Sequence, residues 1–268
     1  MERDKVKLIA TDIDGTLLPE GTDKINPEIF QVILQLKKQG VVFAAASGRQ
    51  FHSMAHLFTP VSNDMIFIAE NGAYVSCRGQ DMLLNVMERG AVERLVKQLR
   101  EIPGACITLN AKDMFYVEHR DPKFLDLILH GYNNKVSQVE DVLAVDTPVV
   151  KVSLYLEKQI DQVAGELIPQ WAEIFSGTVA GEIWLDFMKK GTNKGNALST
   201  VQKALSIAPE ETMVFGDNLN DVEMFRCAGR SYAVGNARAE VKAAARYVTD
   251  THVNDGVLKV LRTLVEGN

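Results

Sequence analysis

Two aspartates separated by one apolar residue stand out as candidates for chemistry. Residues 8–18 read LIATDIDGTLL, so an apolar run ends at Asp12, and Asp14 is followed by a Gly-Thr turn. An apolar run that leads into a glycine-containing turn is typical of a buried parallel strand that delivers polar side chains to its carboxyl end. Carboxylates this close repel each other unless a cation or a shared proton intervenes. The pattern therefore predicts a binding site at this strand end.

Three further polar clusters occupy similar positions. Ser47 follows an apolar run, Asp217 and Asp221 follow another, and Lys194 begins a predicted helix. Ligands of open α/β sheets bind at the carboxyl ends of the strands, so we expect these side chains to converge with the first pair although they are distant in sequence.

The residue types in these clusters suit phosphoryl transfer. Carboxylates are hard oxygen ligands that fit Mg²⁺ better than zinc. Lys194 and Ser47 supply a cation and a hydroxyl donor for phosphate oxygens, and glycine turns allow backbone N–H groups to approach an anion. Taken singly, Ser47 is more typical of a helix cap and Lys194 of a solvated surface lysine. Their joint occurrence in order favours a site.

The elements around these clusters predict an α/β protein with a Rossmann-like, doubly wound parallel sheet. Residues 1–81 and 188–268 alternate strands and helices without repeats, whereas 82–187 has an α+β pattern large enough for its own core. We interpret 82–187 as an inserted cap domain. Helices are expected over 26–40, 89–100, 123–132, 161–171, 193–205, 221–227, 240–245 and 255–265. Strands are expected over 8–11, 41–46, 64–69, 73–77, 107–110, 115–119, 149–156, 183–187, 212–215, 231–234 and 247–249.

Composition narrows the partners and the location. A net charge of -6 and a pI near 5.5 give no basic surface for nucleic acid or an anionic membrane. The amino terminus lacks the apolar region of a signal peptide, and no apolar run reaches the roughly 18 residues of a membrane helix. The 3 cysteines have no CxxC spacing, which fits a reducing compartment. We expect a cytoplasmic protein.

The motifs, in their order and spacing, resemble those of a known family. ATDIDGTLL, ASGR, NKG and GDNLND resemble the four motifs of the haloacid dehalogenase superfamily. An insertion between the second and third motifs is similar to the large-cap branch that includes the Cof-type sugar phosphatases. ENGA, VGNA and NDGV are similar to further signatures of that branch. The matches cover most of the predicted core, whereas the cap agrees only in size and pattern.

This resemblance implies a Mg²⁺-dependent phosphatase of small phosphomonoesters, such as sugar phosphates. Asp12 would be the nucleophile that forms an aspartyl-phosphate, and Asp14 would protonate the leaving oxygen and then deprotonate water. Ser47 would hydrogen-bond the phosphoryl group, and Lys194 would neutralise it and orient Asp12.

The resemblance also implies the metal ligands and further phosphate contacts. Mg²⁺ would be held by an Asp12 oxygen, the backbone carbonyl of Asp14 and Asp217, with Asp221 bracing these ligands. Gly48 and Asn220 would contact the phosphate.

Two alternatives remain open at this stage. A response-regulator receiver, which accepts phosphate on an aspartate as a signal, has a similar acidic pocket, although it lacks the second carboxylate. A phosphomutase of the same superfamily would return the phosphoryl group to a sugar.

The cap is expected to select the substrate. Polar residues in this segment are the candidate contacts, namely His119, Arg120, Lys123 and Glu182, whereas Trp184 is expected in the cap core. The substrate itself and the oligomeric state are left open.

Overall fold

The structure is a computed structural model that describes residues 6–20 and 22–265 and contains two β-sheets. The strands are β1 (Leu8–Thr11), β2 (Val42–Ala46), β3 (Met65–Ala69), β4 (Tyr74–Cys77), β5 (Gln80–Leu84), β6 (Cys106–Ala111), β7 (Phe115–Val117), β8 (Val136–Gln138), β9 (Val149–Tyr155), β10 (Phe175–Ala180), β11 (Trp184–Lys189), β12 (Thr212–Gly216), β13 (Arg230–Ala233) and β14 (Tyr247–Val248). The helices are α1 (Glu28–Lys38), α2 (Phe51–Leu57), α3 (Arg89–Arg100), α4 (Pro122–Asp126), α5 (Ile160–Trp171), α6 (Lys194–Leu205), α7 (Val222–Arg226), α8 (Ala239–Ala244) and α9 (Gly256–Val265).

The larger sheet has the strand order β14-β13-β12-β1-β2-β3-β4-β5. The strands from β14 to β3 are parallel, and β4 and β5 are antiparallel additions at one edge. All four residues of the central strand β1 are buried, as expected when helices cover both faces of a parallel sheet. The predicted doubly wound core is confirmed.

The smaller sheet has the order β10-β11-β9-β6-β7-β8 and is antiparallel except for the β7–β8 pair. Helices α3 and α5 pack their apolar stripes against one of its faces. The other face carries polar side chains, among them Lys151, Ser153 and Asp186. We call this sheet with α3, α4 and α5 the cap, and the remainder of the described chain the core.

The chain passes between the sheets slightly later than the sequence predicts. Strand β5 runs through the predicted boundary at 82 and pairs entirely with the larger sheet, and β11 runs through 188 in the smaller one. Both strands keep their pairing partners to their ends, so the crossings lie at 85–88 and 190–193. Gly191 adopts a φ of 84° at the second crossing, a conformation that glycine adopts without strain. The division into two domains stays a prediction.

Local sequence accounts for most of these elements. The apolar positions of α1 recur at helical spacing and are buried at Ile29, Val32, Ile33 and Leu36. The Asn26 side chain accepts the Glu28 N–H at 3.0 Å, in agreement with the predicted helix start. Strands β5, β8 and β10 and the short helix α2 were not predicted, because their apolar periodicity is weak. The helix expected over 123–132 is α4 followed by a π-helical turn, Leu127–Gly131.

No helix within 6–20 and 22–265 has the length and apolar character needed to cross a membrane. The cytoplasmic location stays a prediction.

Candidate active site

The floor of the site is built around a fully buried lysine. Lys194 is the first residue of α6, whose amino end is capped by the Asn193 side chain. Its Nζ lies 2.5 Å from Asp12 Oδ1 and 2.8 Å from Asp221 Oδ1. Asp12 follows β1 directly and donates its N–H to the Phe215 carbonyl of β12 at 3.0 Å. The carboxyl ends of neighbouring parallel strands thus bring distant residues together, as the sequence predicts.

The two aspartates of the GDNLND motif, Asp217 and Asp221, have different hydrogen-bond partners. Asp221 Oδ2 accepts the N–H groups of Asp217 and Asn218 at 3.0 and 3.1 Å, so both oxygens of Asp221 are engaged. Asp217 instead points its Oδ1 to the Thr16 hydroxyl at 2.9 Å. Gly15 has a φ of 76°, and a Cβ there would lie 2.4 Å from Asp217 Oδ2. Only glycine therefore allows the first motif to approach Asp217 this closely.

The floor carries more negative charge than its lysine can balance. Burial raises the pKa of Asp12 well above its usual value, although Lys194 opposes the shift. Burial and Asp221 raise the pKa of Asp217 to about 7. Burial alone would lower the pKa of Lys194, but Asp12 and Asp221 outweigh burial and raise it.

This imbalance and the donor set fit a divalent cation. Asp12, Asp217 and Asp221 offer carboxylate oxygens that lie within 4.8 Å of one another. Oxygen ligands of this kind suit Mg²⁺, and the charge of a cation would keep the carboxylates ionised. Because both oxygens of Asp221 are already bonded, Asp12 and Asp217 are the better placed ligands, and Asp221 fits the predicted bracing role.

Asp14 is held by an arginine to which the sequence interpretation gave no role. Arg49 donates to Asp14 Oδ2 and Oδ1 through Nε and Nη2 at 2.8 and 2.7 Å. Its backbone N–H donates to the Ser47 hydroxyl at 3.1 Å, and its guanidinium lies 5.1 Å from the Tyr132 ring centre. Arg49 belongs to the quoted ASGR motif, so its position next to Ser47 was the available signal.

Most predicted site residues line one pocket, whose empty volume is about 700 Å³. They are Asp12, Asp14, Ser47, Gly48, Asp217 and Asn220. Lys194 and Asp221 lie beneath these residues and are fully buried. Asn220 donates its amide to Asn71 Oδ1 at 3.0 Å, so it is positioned by the ENGA segment.

A second buried lysine joins the core to the cap, and the sequence interpretation missed it. Lys151 Nζ on β9 lies 2.8 Å from Glu70 Oε2 of the core and 3.3 Å from Asp186 Oδ2 of the cap. It also donates to the Gly48 carbonyl at 2.6 Å. Asp186 in turn accepts the Asn71 amide at 2.6 Å. The alternation in VVKVSLY is the signal that could have identified a polar face on this strand.

The candidate cap contacts are not the cap residues that line the pocket. His119, Arg120, Lys123 and Glu182 are not among the described residues that line the pocket. Lys123 instead pairs with Glu157 at 2.5 Å on the exposed side of the cap. The cap residues that do line it lie on the polar face of the smaller sheet or in the segment before β8, among them Phe115, Tyr132, Asn134, Lys151, Ser153, Trp184 and Asp186.

Trp184 packs in the cap core, as the sequence analysis expects, and it also borders the pocket. Its ring packs on Phe124 and Tyr155 of the cap with centroid distances of 6.2 and 5.3 Å, as expected for a core residue. It also forms part of the pocket wall.

The chain was compared with known proteins. The family model of haloacid dehalogenase-like hydrolases matches residues 9–261. The 5-amino-6-(5-phospho-D-ribitylamino)uracil phosphatase YbjI of Escherichia coli (strain K12) is 31% identical over 257 residues, which cover 96% of this chain and 95% of that protein. A solved structure from Eubacterium rectale is 33% identical, with a TM-score of 0.84 and coverage of 97% of this chain and 99% of that chain. The subclass IIB sugar phosphatase BT4131 has the same fold, with a TM-score of 0.84 at 23% identity and coverage of 96% and 98%.

These matches confirm the predicted superfamily with its Cof-type branch, the α/β fold class and the phosphoric monoester hydrolase type. They favour a hydrolase over the receiver-like alternative. The match to the family spans nearly the whole chain and includes all four quoted motifs. The chain therefore belongs to the haloacid dehalogenase-like hydrolases.

Proposed function

We propose that this hydrolase is a Mg²⁺-dependent phosphatase of small phosphorylated metabolites that works through an aspartyl-phosphate on Asp12. The observation that carries the proposal is the buried Asp12–Lys194 pair, with an N–O distance of 2.5 Å, in the floor of a pocket that Asp14 and Ser47 also line. A carboxylate beside cations stays ionised and nucleophilic, which is what attack on phosphorus requires.

The first step transfers the phosphoryl group to the enzyme. An Asp12 carboxylate oxygen attacks phosphorus, the bond to the leaving oxygen breaks, and Asp14 gives that oxygen a proton. Lys194 orients Asp12 through its hydrogen bond to Oδ1 and balances charge in the floor. Ser47, Gly48 and Asn220 line the pocket. They would donate hydrogen bonds to phosphoryl oxygens.

The second step releases phosphate. Asp14 takes a proton from water, the water oxygen attacks phosphorus, and the bond to Asp12 breaks, which regenerates the free carboxylate. Arg49 orients the Asp14 carboxyl group through two hydrogen bonds at 2.8 and 2.7 Å. Both steps use the same two aspartates, so the enzyme needs no further acid or base.

Mg²⁺ would be held by Asp12, Asp217 and the Asp14 backbone carbonyl. When bound, it would stabilise negative charge that develops on the phosphoryl oxygens. Asp221 holds the turn that carries Asp217 through the two backbone hydrogen bonds at 3.0 and 3.1 Å.

The substrate class is a small phosphomonoester, such as a sugar phosphate or a related metabolite. The names of the relatives support this range, because they describe a ribitylaminouracil phosphatase and a sugar phosphatase. The pocket lies between core residues such as Asp12 and cap residues such as Trp184, and small-molecule sites are common at such boundaries.

A phosphate-release screen over sugar phosphates, nucleotides and cofactor phosphates tests the function. EDTA should abolish release and added Mg²⁺ should restore it; full activity in chelator would disprove the metal requirement. A beryllofluoride adduct should form on Asp12, and its formation on Asp14 would reverse the two roles. Return of the phosphoryl group to a sugar hydroxyl, with no free phosphate, would establish the phosphomutase alternative instead.

A further inference from the structure

The VGNA motif, residues 234–237, has no role in the mechanism described so far. It follows β13 directly, and β13 pairs in parallel with β12, whose carboxyl end leads into Asp217. Asn236 is the polar residue of the motif. Its side chain is exposed, and it is not among the described residues that line the pocket. Asn236 therefore has no direct contact to offer a substrate.

The Asn236 side chain nevertheless makes two hydrogen bonds to other parts of the core. Its Nδ2 donates to the Gly15 carbonyl of the first motif at 2.7 Å. Its Oδ1 accepts the backbone N–H of His252 at 3.0 Å. Both polar atoms of the amide are engaged, so this exposed side chain is held in one orientation and ties the first motif to the loop before α9.

Gly15 is the position at which the first motif most needs an outside contact. The close approach of Asp217 leaves room for glycine alone, and a glycine backbone has more conformational freedom than that of any other residue. The Gly15 N–H donates to the Leu18 carbonyl at 2.7 Å, which fixes the peptide that carries the Asp14 carbonyl, a proposed Mg²⁺ ligand. The hydrogen bond from Asn236 fixes the next peptide. Both peptides that flank the glycine are therefore held.

The same segment also holds the turn that carries Asp217. The backbone N–H of Arg238 donates to the Asp217 carbonyl at 3.1 Å, and that of Val234 donates to the Gly216 carbonyl at 3.2 Å. Ala237, only 5% exposed, closes the segment through an N–H bond to the Val234 carbonyl at 2.9 Å. Residues 234–238 thus contact both turns that carry proposed metal ligands. Groups that orient metal ligands from outside typically change metal affinity by about 10–100-fold when they are lost.

We propose that Asn236 is a positioning residue, which fixes the first motif relative to the Asp217 turn and thereby sets the affinity for Mg²⁺. Because Mg²⁺ enters only through the proposed function, the role of Asn236 rests on that function. Thr16 joins the two turns directly through its hydrogen bond to Asp217 Oδ1 at 2.9 Å, whereas Asn236 acts from the outer surface. Loss of the Asn236 amide leaves the carboxylates in place but frees the Gly15 backbone. Mg²⁺ should then bind more weakly at the same site.

Calorimetric titration of the full chain with Mg²⁺, without substrate, tests this role directly. The Kd for Mg²⁺ should be at least about tenfold higher in Asn236→Ala than in the wild type. The matched control is Asn196→Ala, because Asn196 is also exposed and its amide donates to a glycine carbonyl, that of Gly191, at 2.6 Å. Gly191 lies at a crossing between the sheets and not in a metal-bearing turn, so the control should change the Kd by less than about twofold.

Two further measurements separate positioning from a structural role. In EDTA, the melting temperatures of Asn236→Ala and Asn196→Ala should be similar, whereas added Mg²⁺ should raise that of Asn196→Ala more, because a ligand stabilises the folded state according to its affinity. In assays of phosphate release, the half-saturating Mg²⁺ concentration of Asn236→Ala should rise about tenfold, while kcat at saturating Mg²⁺ should fall by less than about threefold.

A Kd in Asn236→Ala within about twofold of the wild-type value would overturn the role of Asn236 and leave the proposed function in place. A lower melting temperature in EDTA with an unchanged Kd would overturn it in the same way, because the side chain would then act only on the fold. A loss of kcat that saturating Mg²⁺ does not restore would also contradict it. Absence of Mg²⁺ binding by the wild type would overturn the metal site of the proposed function, and the role of Asn236 with it.

Discussion

Lys194 in the core and Lys151 in the cap are both nearly inaccessible to solvent, and each lies between two carboxylates. The partners of Lys194, Asp12 and Asp221, both belong to the larger sheet. The partners of Lys151 are divided, because Glu70 follows β3 of the core and Asp186 lies on β11 of the cap. The Lys151 cluster is therefore complete only when cap and core are in contact.

The hydrogen bonds of the two lysines also differ. Lys151 donates a hydrogen bond to the Gly48 carbonyl and forms ion pairs with the two carboxylates. Lys194 donates to two acceptors among the described residues, the carboxylates of Asp12 and Asp221. The comparison teaches that burial between carboxylates does not by itself mark a catalytic lysine. The lysine proposed to act in catalysis is the one that is hydrogen-bonded to the proposed nucleophile, Asp12.

The largest effect should come from breaking the Lys194 cluster at its nucleophile. Asp12→Asn should lower kcat by at least about 10⁴-fold, because an amide cannot form the acyl phosphate. The matched variant Asp186→Asn, at the corresponding carboxylate of the Lys151 cluster, should lower kcat by less than about tenfold. Steady-state phosphate release at saturating Mg²⁺ measures both. Equal losses would mean that the two clusters do not differ in function.

Asp14 belongs to neither lysine cluster, because it is paired with Arg49. A variant at Asp14 therefore tests whether proton transfer can be lost while nucleophilic attack by Asp12 remains. Asp14→Asn should lower kcat for a sugar phosphate by about 10² to 10⁴-fold, the usual range for a lost acid or base. With p-nitrophenyl phosphate, whose leaving group needs no proton, the first step should survive. A burst of one p-nitrophenolate per active site should then appear, because hydrolysis of the aspartyl-phosphate still lacks its base. A uniform loss without a burst would contradict this division of roles.

The sequence was sufficient to predict the core side of the site, because each group of polar site residues lies next to a strand or helix with clear apolar periodicity. Once β1, β2 and β12 are recognised as parallel strands, Asp12, Ser47 and Asp217 must lie at one edge of the sheet. The helix start at Asn193 then places Lys194 beside them. These are consequences of local pattern and topology, which a single sequence carries.

The cap residues that line the pocket could not be predicted in the same way. Lys151 and Ser153 alternate with apolar residues, so a polar face of β9 is readable, but nothing local indicates that this face meets the core. The candidate contacts His119 and Lys123 do not line the pocket. Polar residues near turns resemble binding residues in composition, whereas the packing of one sheet on the other decides which of them face the pocket. Asn134 lies in an irregular segment without any periodic signal.

Removing the cation of the Lys151 cluster tests its structural role. Lys151→Met should destabilise the protein by about 3–5 kcal/mol, because the carboxylates of Glu70 and Asp186 would remain buried without their cation. Urea unfolding measures the change. The control is Lys190→Met, since Lys190 and its partner Glu173 are exposed and such pairs contribute about 0–1 kcal/mol. A similar small change in both variants would mean that the Lys151 cluster does not stabilise the contact between cap and core.

The smallest expected effect is a pH-dependent change in stability at Glu20. This residue lies at the same boundary between cap and core as Glu70 and Asp186, but it has no lysine partner among the described residues. Burial of its carboxyl group, together with Asp14 and Glu182, raises the pKa of Glu20 from 4.5 to about 7. A carboxyl group whose pKa is higher in the folded state favours folding when protonated, so its contribution is complete below about pH 4.5 and is lost as the pH rises to about 7.

The melting temperature of the wild type relative to Glu20→Gln should therefore fall between about pH 4.5 and pH 7 and then level off. We expect the change to correspond to less than about 1 kcal/mol, since the residue is partly exposed and solvent screens the charge. Glu28→Gln is a control of opposite sign, because the hydrogen bond from Arg262 lowers the pKa of Glu28. The wild type should gain stability relative to Glu28→Gln as the pH rises toward 4.5. A trend of the same sign in both variants would show that Glu20 is ionised like an ordinary surface carboxylate and that the boundary between cap and core does not desolvate it.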